Sequence, residues 1–248
     1  MLTMDWHARY IQQAGWTRNL RDYLLARCNL DTARRVLEVG CGTGAVLAEL
    51  GAHSFAVHGL DRDPLRLLQA QRHVYHGQLL CADALNLPYL THAFDLTFCH
   101  FTLLWLADPL LALREMSRVT RPGGFVLAFA EPDYINRVDR PAALAPMGRL
   151  QTESLRRQGA DPGLGLRLAD LFARAGLEII ETGPYQSFDT PSDDAELEWA
   201  VLEADLAGLV SPAQLEKWKR IDQQARRRGE RILRVPTYFA FARLPMSG

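Results

Sequence analysis

Val36-Leu37-Glu38-Val39-Gly40-Cys41-Gly42-Thr43-Gly44 runs from an apolar strand pattern into three glycines spaced two apart, and a helical pattern resumes at Ala45. Glycines in such a turn let the backbone approach a ligand and adopt positive φ, while the following helix start offers free N–H donors. The stretch therefore predicts a nucleotide-like ligand beyond the first strand. Outward from it, short apolar runs alternate with helical patterns. Strands are expected over Val36–Val39, Phe55–Leu60, Gln78–Ala82, Phe94–Cys99, Phe125–Ala130 and Leu177–Glu181, with helices starting near Ala45, Pro64, Asp108 and Leu166. That alternation predicts an α/β, doubly wound parallel sheet covered by helices on both faces.

Three segments fall outside the alternation. Trp6–Cys28 reads as one or two helices before the first strand; Pro141–Gly159 extends the region after the fifth; Asp193–Arg228 reads as two further helices. The second of these has a clear start, because Ser211, Pro212 and Gln214 supply an N-cap, a proline at the first helical position and a capping-box partner. Pro236–Leu244, with Thr237, Tyr238, Phe239 and Phe241, is rich enough in aromatic and β-branched residues to be a last strand.

Composition bounds the chemistry. Of 248 residues, 48% are apolar and 23% charged, which is globular and sufficient for a core without disulfides or structural metal. The 28 basic and 29 acidic residues give a net charge of −1, so general nucleic-acid or acidic-membrane binding is not expected. Lys217 and Lys219 are the only lysines, which argues against a phosphate loop of the GxxxxGK[ST] type and against a Schiff-base lysine. Cys28, Cys41, Cys81 and Cys99 have no metal-ligand spacing, and no metal is expected. The N-terminus carries Asp5, His7 and Arg9, and the longest uncharged apolar stretch, Leu96–Ala107, is too short to span a bilayer, so the cytoplasm is the expected compartment.

Ligands of open α/β sheets sit beyond the carboxyl ends of the strands, and these ends bring acids. Asp61 closes the second strand, where a carboxylate can accept from a ribose diol. Asp83 follows the third, where one could accept from an exocyclic amino group. Glu38 precedes the glycines, and Asp95, which begins the fourth strand, is expected to be mainly structural. Two unit charges 4 Å apart interact by about 4 kcal/mol at an effective dielectric of 20, so this field favours a ligand with positive charge over a dianionic dinucleotide.

Residues 36–131 resemble the core of the class I S-adenosylmethionine-dependent methyltransferases, of the small-molecule type similar to ubiquinone and menaquinone methylases. The likeness rests on four ordered motifs, Leu37–Gly44, Gly59–Pro64, Ala82–Pro88 and Phe94–Leu96, with Arg121-Pro122-Gly123-Gly124 before the fifth strand. It implies S-adenosylmethionine as cofactor, S-adenosylhomocysteine as product and a small-molecule acceptor. It also implies a Rossmann-like, seven-stranded, mostly parallel sheet with an antiparallel last strand, here with N-terminal cap helices and a helical insert before that strand. The expected organisation is a single domain, with cap helices over 1–30, an α/β core over 31–188 and 232–248, and an insert or lid over 189–231. By resemblance, Glu38, Gly40 and Gly42 lie beside the methionyl part, Asp61 on the ribose, Arg62 beside the adenine, and Asp83 with Ala84 at the adenine edge. His100 and Phe101 hold the position where the family's backbone meets the donor's ammonium group. Tyr10, Trp16 and Arg18 are candidates to close over the cofactor, since an aromatic face suits a cation and arginine a carboxylate.

His100, Glu131 and Tyr134 are the candidates for orienting or deprotonating the acceptor. His53, His58, His73, His76 and His92 lack a supporting constellation. Arg226-Arg227-Arg228 with Arg231 reads first as solvated charge near a helix C-terminus, and Trp199, Trp218 and Leu215 as packing of the insert. Two other functions compete. A nicotinamide-dependent oxidoreductase would share an acid after the glycines, but the pattern is GxGxG rather than GxGxxG and no Tyr-x-x-x-Lys dyad exists. A non-catalytic module that binds S-adenosylmethionine or S-adenosylhomocysteine would carry the same donor motifs. The fourth strand ends in Phe98-Cys99-His100-Phe101, not in the Asn/Asp-Pro-Pro-Tyr pattern of enzymes that grip a flipped base.

Overall fold

The structure is a computed structural model that describes residues 5–28, 34–51, 56–185 and 195–246. Phe55, expected to open the second strand, His53, and Asp193, expected to open the first helix of the insert, lie outside these residues. Seven strands form the main sheet: β1 (Arg35–Val39), β2 (Ala56–Asp61), β3 (Gln78–Cys81), β4 (Phe94–Cys99), β5 (Thr120–Pro132), β7 (Glu178–Tyr185) and β9 (Thr237–Arg243). Their order is β3-β2-β1-β4-β5-β9-β7, and β9 runs antiparallel between β5 and β7 while the ladders from β3 to β5 are parallel. The expected mostly parallel sheet with an antiparallel last strand is therefore present. The fifth strand is longer than expected, because Arg121-Pro122-Gly123-Gly124 joins it, with a register shift between Phe94 and Leu96 on its neighbour.

Alternation along β1 decides which side the site faces. Leu37 and Val39 enter one core cluster with Leu113, Met116 and Phe172, whereas Val36 enters the other with Leu24, Val46 and Leu47. With a period of two, Glu38 shares the face of Val36, the side covered by the N-terminal helices α1 (Trp6–Trp16) and α2 (Arg18–Cys28) and by α3 (Ala45–Gly51). The other helices near the sheet start where sequence demands. In α4 (Pro64–Ala70) and α5 (Pro109–Val119), Asp63 and Asp108 cap the first turn and proline takes the first helical position. α7 (Leu168–Arg174) packs Leu168, Leu171 and Phe172 into the first cluster.

A second layer stands beside the sheet. β6 (Val138–Arg140) pairs antiparallel with β8 (Ile232–Arg234), a small ribbon that the sequence reading does not anticipate. Around it lie α6 (Ala145–Arg157), α8 (Ala195–Leu206) and α9 (Pro212–Arg227), whose shared core contains Leu144, Met147, Trp199, Leu202, Leu206 and Trp218. Trp199 and Trp218 thus pack the insert, and Ser211 accepts from the Gln214 N–H at 3.3 Å as a cap should. Pro141–Gly159, read as an extension of the core, supplies α6 to this layer instead, because its apolar stripe meets α8.

A chain of ion pairs ties the layer together. Asp139 accepts from Arg137 at 2.7 Å and Arg231 at 3.0 Å; Asp222 accepts from Arg231 at 2.5 Å and Arg226 at 2.8 Å; Arg226 reaches Glu198 at 2.6 Å. Arg226 and Arg231 are therefore structural, not free surface charge. No helix among the described residues is long and apolar enough to cross a membrane.

Candidate functional site

The glycine turn leaves β1 at the carboxyl edge of the parallel strands. Gly40 and Gly42 have φ of +75° and +52°, conformations that cost an L side chain. Space forbids a side chain too: a Cβ on Gly40 would stand 2.6 Å from Thr102 Oγ1, and one on Gly42 would stand 3.0 Å from the Tyr10 ring. Tyr10 of α1 therefore lies directly over the turn, and His7 beside it bonds Thr43 Oγ1 at 2.8 Å.

The acids divide by position. Asp61 is buried and accepts from the Gly42 N–H at 2.8 Å and the Asp63 N–H at 2.9 Å, so it braces the turn. Glu38 is buried with its Oε2 unpartnered among the described residues. Burial holds its carboxyl well above the usual carboxylate range, against the nearby charge of Arg21 and with that of Asp61. Asp83 is exposed and accepts from the Leu85 N–H at 2.9 Å, closing a turn, with Ala84 buried behind it. Arg62 is exposed on the same rim. Asp95 lies at the opposite end of the sheet, where it accepts from Arg121 at 2.6 Å, Arg34 at 3.0 Å and the Arg35 N–H at 3.0 Å. Burial raises the Asp95 pKa, but these partners outweigh it and hold it low.

The cap helices deliver a different arginine from the one expected. Arg18 is exposed and pairs with Glu49 at 2.9 Å, away from the turn. Arg21 is the buried one, bonded to Thr17 Oγ1 at 2.6 Å, to the Ala14 carbonyl at 2.5 Å and to Glu49. Helical spacing could have found it: Thr17, Arg21, Leu24 and Cys28 share one face, and an arginine within a buried stripe needs a reason. Trp16 lies under the guanidinium of Arg9, 4.8 Å from the ring centroid.

His100 Nε2 meets Thr17 Oγ1 at 2.9 Å. Burial, helped by the charge of Arg21, depresses its pKa to about 3. A proton acceptor that weak is poorly matched to base catalysis near neutral pH. Phe101 next to it has φ +51°, a strained conformation for a bulky residue, and its N–H donates to the Ala130 carbonyl at 2.9 Å. What holds that turn is Glu131. Fully buried, it accepts from the N–H groups of Thr102 at 3.0 Å, Leu103 at 2.9 Å and Leu104 at 3.2 Å. Tyr134, two residues past β5, is half-buried with its hydroxyl pKa raised by burial, and Arg9 is close enough to offset this in part.

Burial lifts the Glu131 carboxyl to about 7 despite its three N–H donors. The folded chain then holds this proton more tightly than the unfolded chain, so the contribution is full below about pH 4.5 and is lost as pH rises through 7, about 3 kcal/mol in all. Glu131→Gln cannot titrate. Urea denaturation between pH 4.5 and 8 should show a flatter loss of stability with rising pH in this variant than in the parent, and identical slopes would refute the assignment.

Glu38, Gly40, Gly42, Asp61, Tyr10 and His100 thus come together around one turn, Arg62 and Asp83 border it, and Arg18 stays outside. Residues 37–128, β1 into β5, match a family model described as a methyltransferase domain. That match takes in the glycine turn and the strand ends that carry Asp61 and Asp83. The chain is 37% identical over 126 residues to a malonyl-[acyl-carrier protein] O-methyltransferase of Halorhodospira halophila, an alignment covering 48% of this chain and 43% of that protein. It is 38% identical over 120 residues to a demethylmenaquinone methyltransferase of Corynebacterium urealyticum, covering 47% and 50%. The chain therefore aligns with half or less of the length of these relatives. Among solved structures, the [4+2]-cyclase SpnF superposes with a TM-score of 0.58 at 22% identity, over 92% of this chain and 82% of that one. A shared fold does not by itself fix the reaction.

Proposed function

We propose that this protein is an S-adenosylmethionine-dependent methyltransferase, cytoplasmic, that moves a methyl group to an oxygen, nitrogen or carbon of a small-molecule acceptor. The observation that carries the reading is the buried, unpartnered Glu38 Oε2 directly beneath a glycine turn braced by Asp61. An orphaned carboxyl oxygen in a buried site calls for a donor or a cation, and a turn with no Cβ leaves backbone room for a ligand. Such a site fits S-adenosylmethionine, which supplies, when bound, an electrophilic methyl group on a sulfonium. Glu38, Gly40 and Gly42 would hold its methionyl part, Asp61 its ribose, and Arg62, Asp83 and Ala84 its adenine. The backbone at His100 and Phe101, pinned by Glu131, would meet the ammonium group, and Arg21 takes the role first expected of Arg18. Tyr10 covers the space a ligand would need over Gly42, so binding has to displace its ring.

Glu131 and His100 act here as positioning residues, since one spends its oxygens on three N–H groups and the other is held by Thr17. Tyr134, with Arg9 and Trp16 nearby, lies on the acceptor side, where the cap helices and the insert would act as a lid that excludes water and sets specificity. Catalysis would then rest mainly on proximity and alignment.

The test is incubation of the protein and cell extract with methyl-labelled S-adenosylmethionine, followed by separation into small-molecule, protein and nucleic-acid fractions. Label in the small-molecule fraction, lost with Asp61→Ala, is the expected result. Label confined to protein or nucleic acid would overturn the acceptor class, and donor binding without transfer to any fraction would favour a non-catalytic binding module.

A further inference from the structure

Against Tyr134, the second layer borders a half-open cavity of about 320 Å³. The Arg137–Asp139 ion pair lines it, and Gly148 of α6 lets that pair approach the helix, since a Cβ there would collide with Asp139. Its wall is one stripe of α6. Arg149, Thr152, Glu153 and Arg156 recur at helical spacing and all line the space.

The charges along this wall do not cancel. Arg137 and Asp139 belong to the buried ion chain, which alternates three arginines with three acids and is neutral. On α6, Glu153 faces two guanidiniums, Arg156 at 3.4 Å and Arg157 at 3.3 Å, so this group keeps one positive charge. Arg149 has no acidic partner among the described residues and adds a second. Arg149 and the net positive charge shared by Arg156 and Arg157 border the space about two turns apart on the helix, a donor arrangement suited to a small dianion. The volume is near the lower end of small-molecule sites, enough for a charged terminal group and a few carbons.

We propose that this cavity is an anion subsite, in which Arg149 and Arg156 hold a phosphate or carboxylate terminus of the acceptor while Tyr134 separates that terminus from the reacting end. That the bound terminus belongs to a methyl acceptor rests on the proposed methyltransferase function, whereas the anion site itself does not.

The experiment titrates the full chain with inorganic phosphate and, separately, with malonate, at constant ionic strength, by calorimetry and by melting temperature. The expected result is saturable binding that weakens at least tenfold in Arg149→Gln/Arg156→Gln. Glu153→Gln, which frees Arg156, should tighten it several-fold, an effect that a folding defect cannot imitate. The stronger of the two anions identifies the group as phosphoryl or carboxylate. Unchanged affinity in the double variant, or no saturable binding of either anion, would overturn the site. S-adenosylhomocysteine is titrated into the same proteins: loss of that binding in the parent chain would strike the donor reading and leave the anion result standing.

Discussion

Asp222→Ala is expected to lower the unfolding free energy by about 3–5 kcal/mol, the range found when one member of a buried ion pair is removed. Asp222 is almost fully buried and accepts three bonds, from Trp199 Nε1 at 3.0 Å, Arg226 at 2.8 Å and Arg231 at 2.5 Å. Truncation leaves the Nε–H groups of Arg226 and Arg231 and the indole N–H of Trp199 without their acceptor, although Arg226 keeps Glu198 and Arg231 keeps Asp139, and the cost is dominated by these orphaned donors and the missing negative charge. For a chain of this size each kcal/mol moves the melting temperature by about 2–4 °C, so the drop should be about 6–20 °C. High salt should not mask it, because buried pairs are screened little. The control is Glu203→Ala, which breaks the exposed Lys219–Glu203 pair and should cost well under 1 kcal/mol. Guanidinium denaturation of both variants decides it: equal small losses would mean that the ion chain does not hold the second layer.

Asp61→Ala is expected to weaken S-adenosylhomocysteine binding roughly tenfold to a hundredfold, corresponding to about 1.5–3 kcal/mol for hydrogen bonds to a charged acceptor. Sequence alone would leave the ligand-free protein unaffected by this change. The structure predicts otherwise, because the same carboxylate accepts the Gly42 and Asp63 N–H groups and its loss leaves both unsatisfied. A stability loss of about 1–3 kcal/mol should accompany the affinity loss. Asp61→Asn separates the two effects, since its amide oxygen can still accept one N–H bond while the negative charge is gone. Calorimetry and melting curves on both variants make the test, and an unchanged affinity in Asp61→Ala would remove Asp61 from the donor site.

What the sequence determined by itself were the features carried by local chemistry. The glycine turn, the carboxylates at strand ends and the caps of α4, α5 and α9 are written in neighbouring residues, since each satisfies a requirement within a few positions. Alternation of apolar runs and helical stripes likewise fixes a doubly wound sheet, because the periods of 2 and 3.6 cannot be confused over such lengths. Tertiary structure decided which members of equivalent pairs do the work. Arg18 and Arg21 differ by less than one helical turn, yet only Arg21 faces the site, because the packing angle of α2 on the sheet is set by Leu20, Leu24 and Cys28 together. Sequence puts Glu131 among the residues that would orient or deprotonate the acceptor, and only the backbone turn at Phe101 shows where its oxygens go. Arg226 and Arg227 are adjacent in sequence, but one is bound to Asp222 and Glu198 while the other is not. Partners of long-range polar groups come from distant segments, 92 residues apart for Arg231 and Asp139 and 158 for Tyr23 and Glu181, and no local period encodes such a meeting.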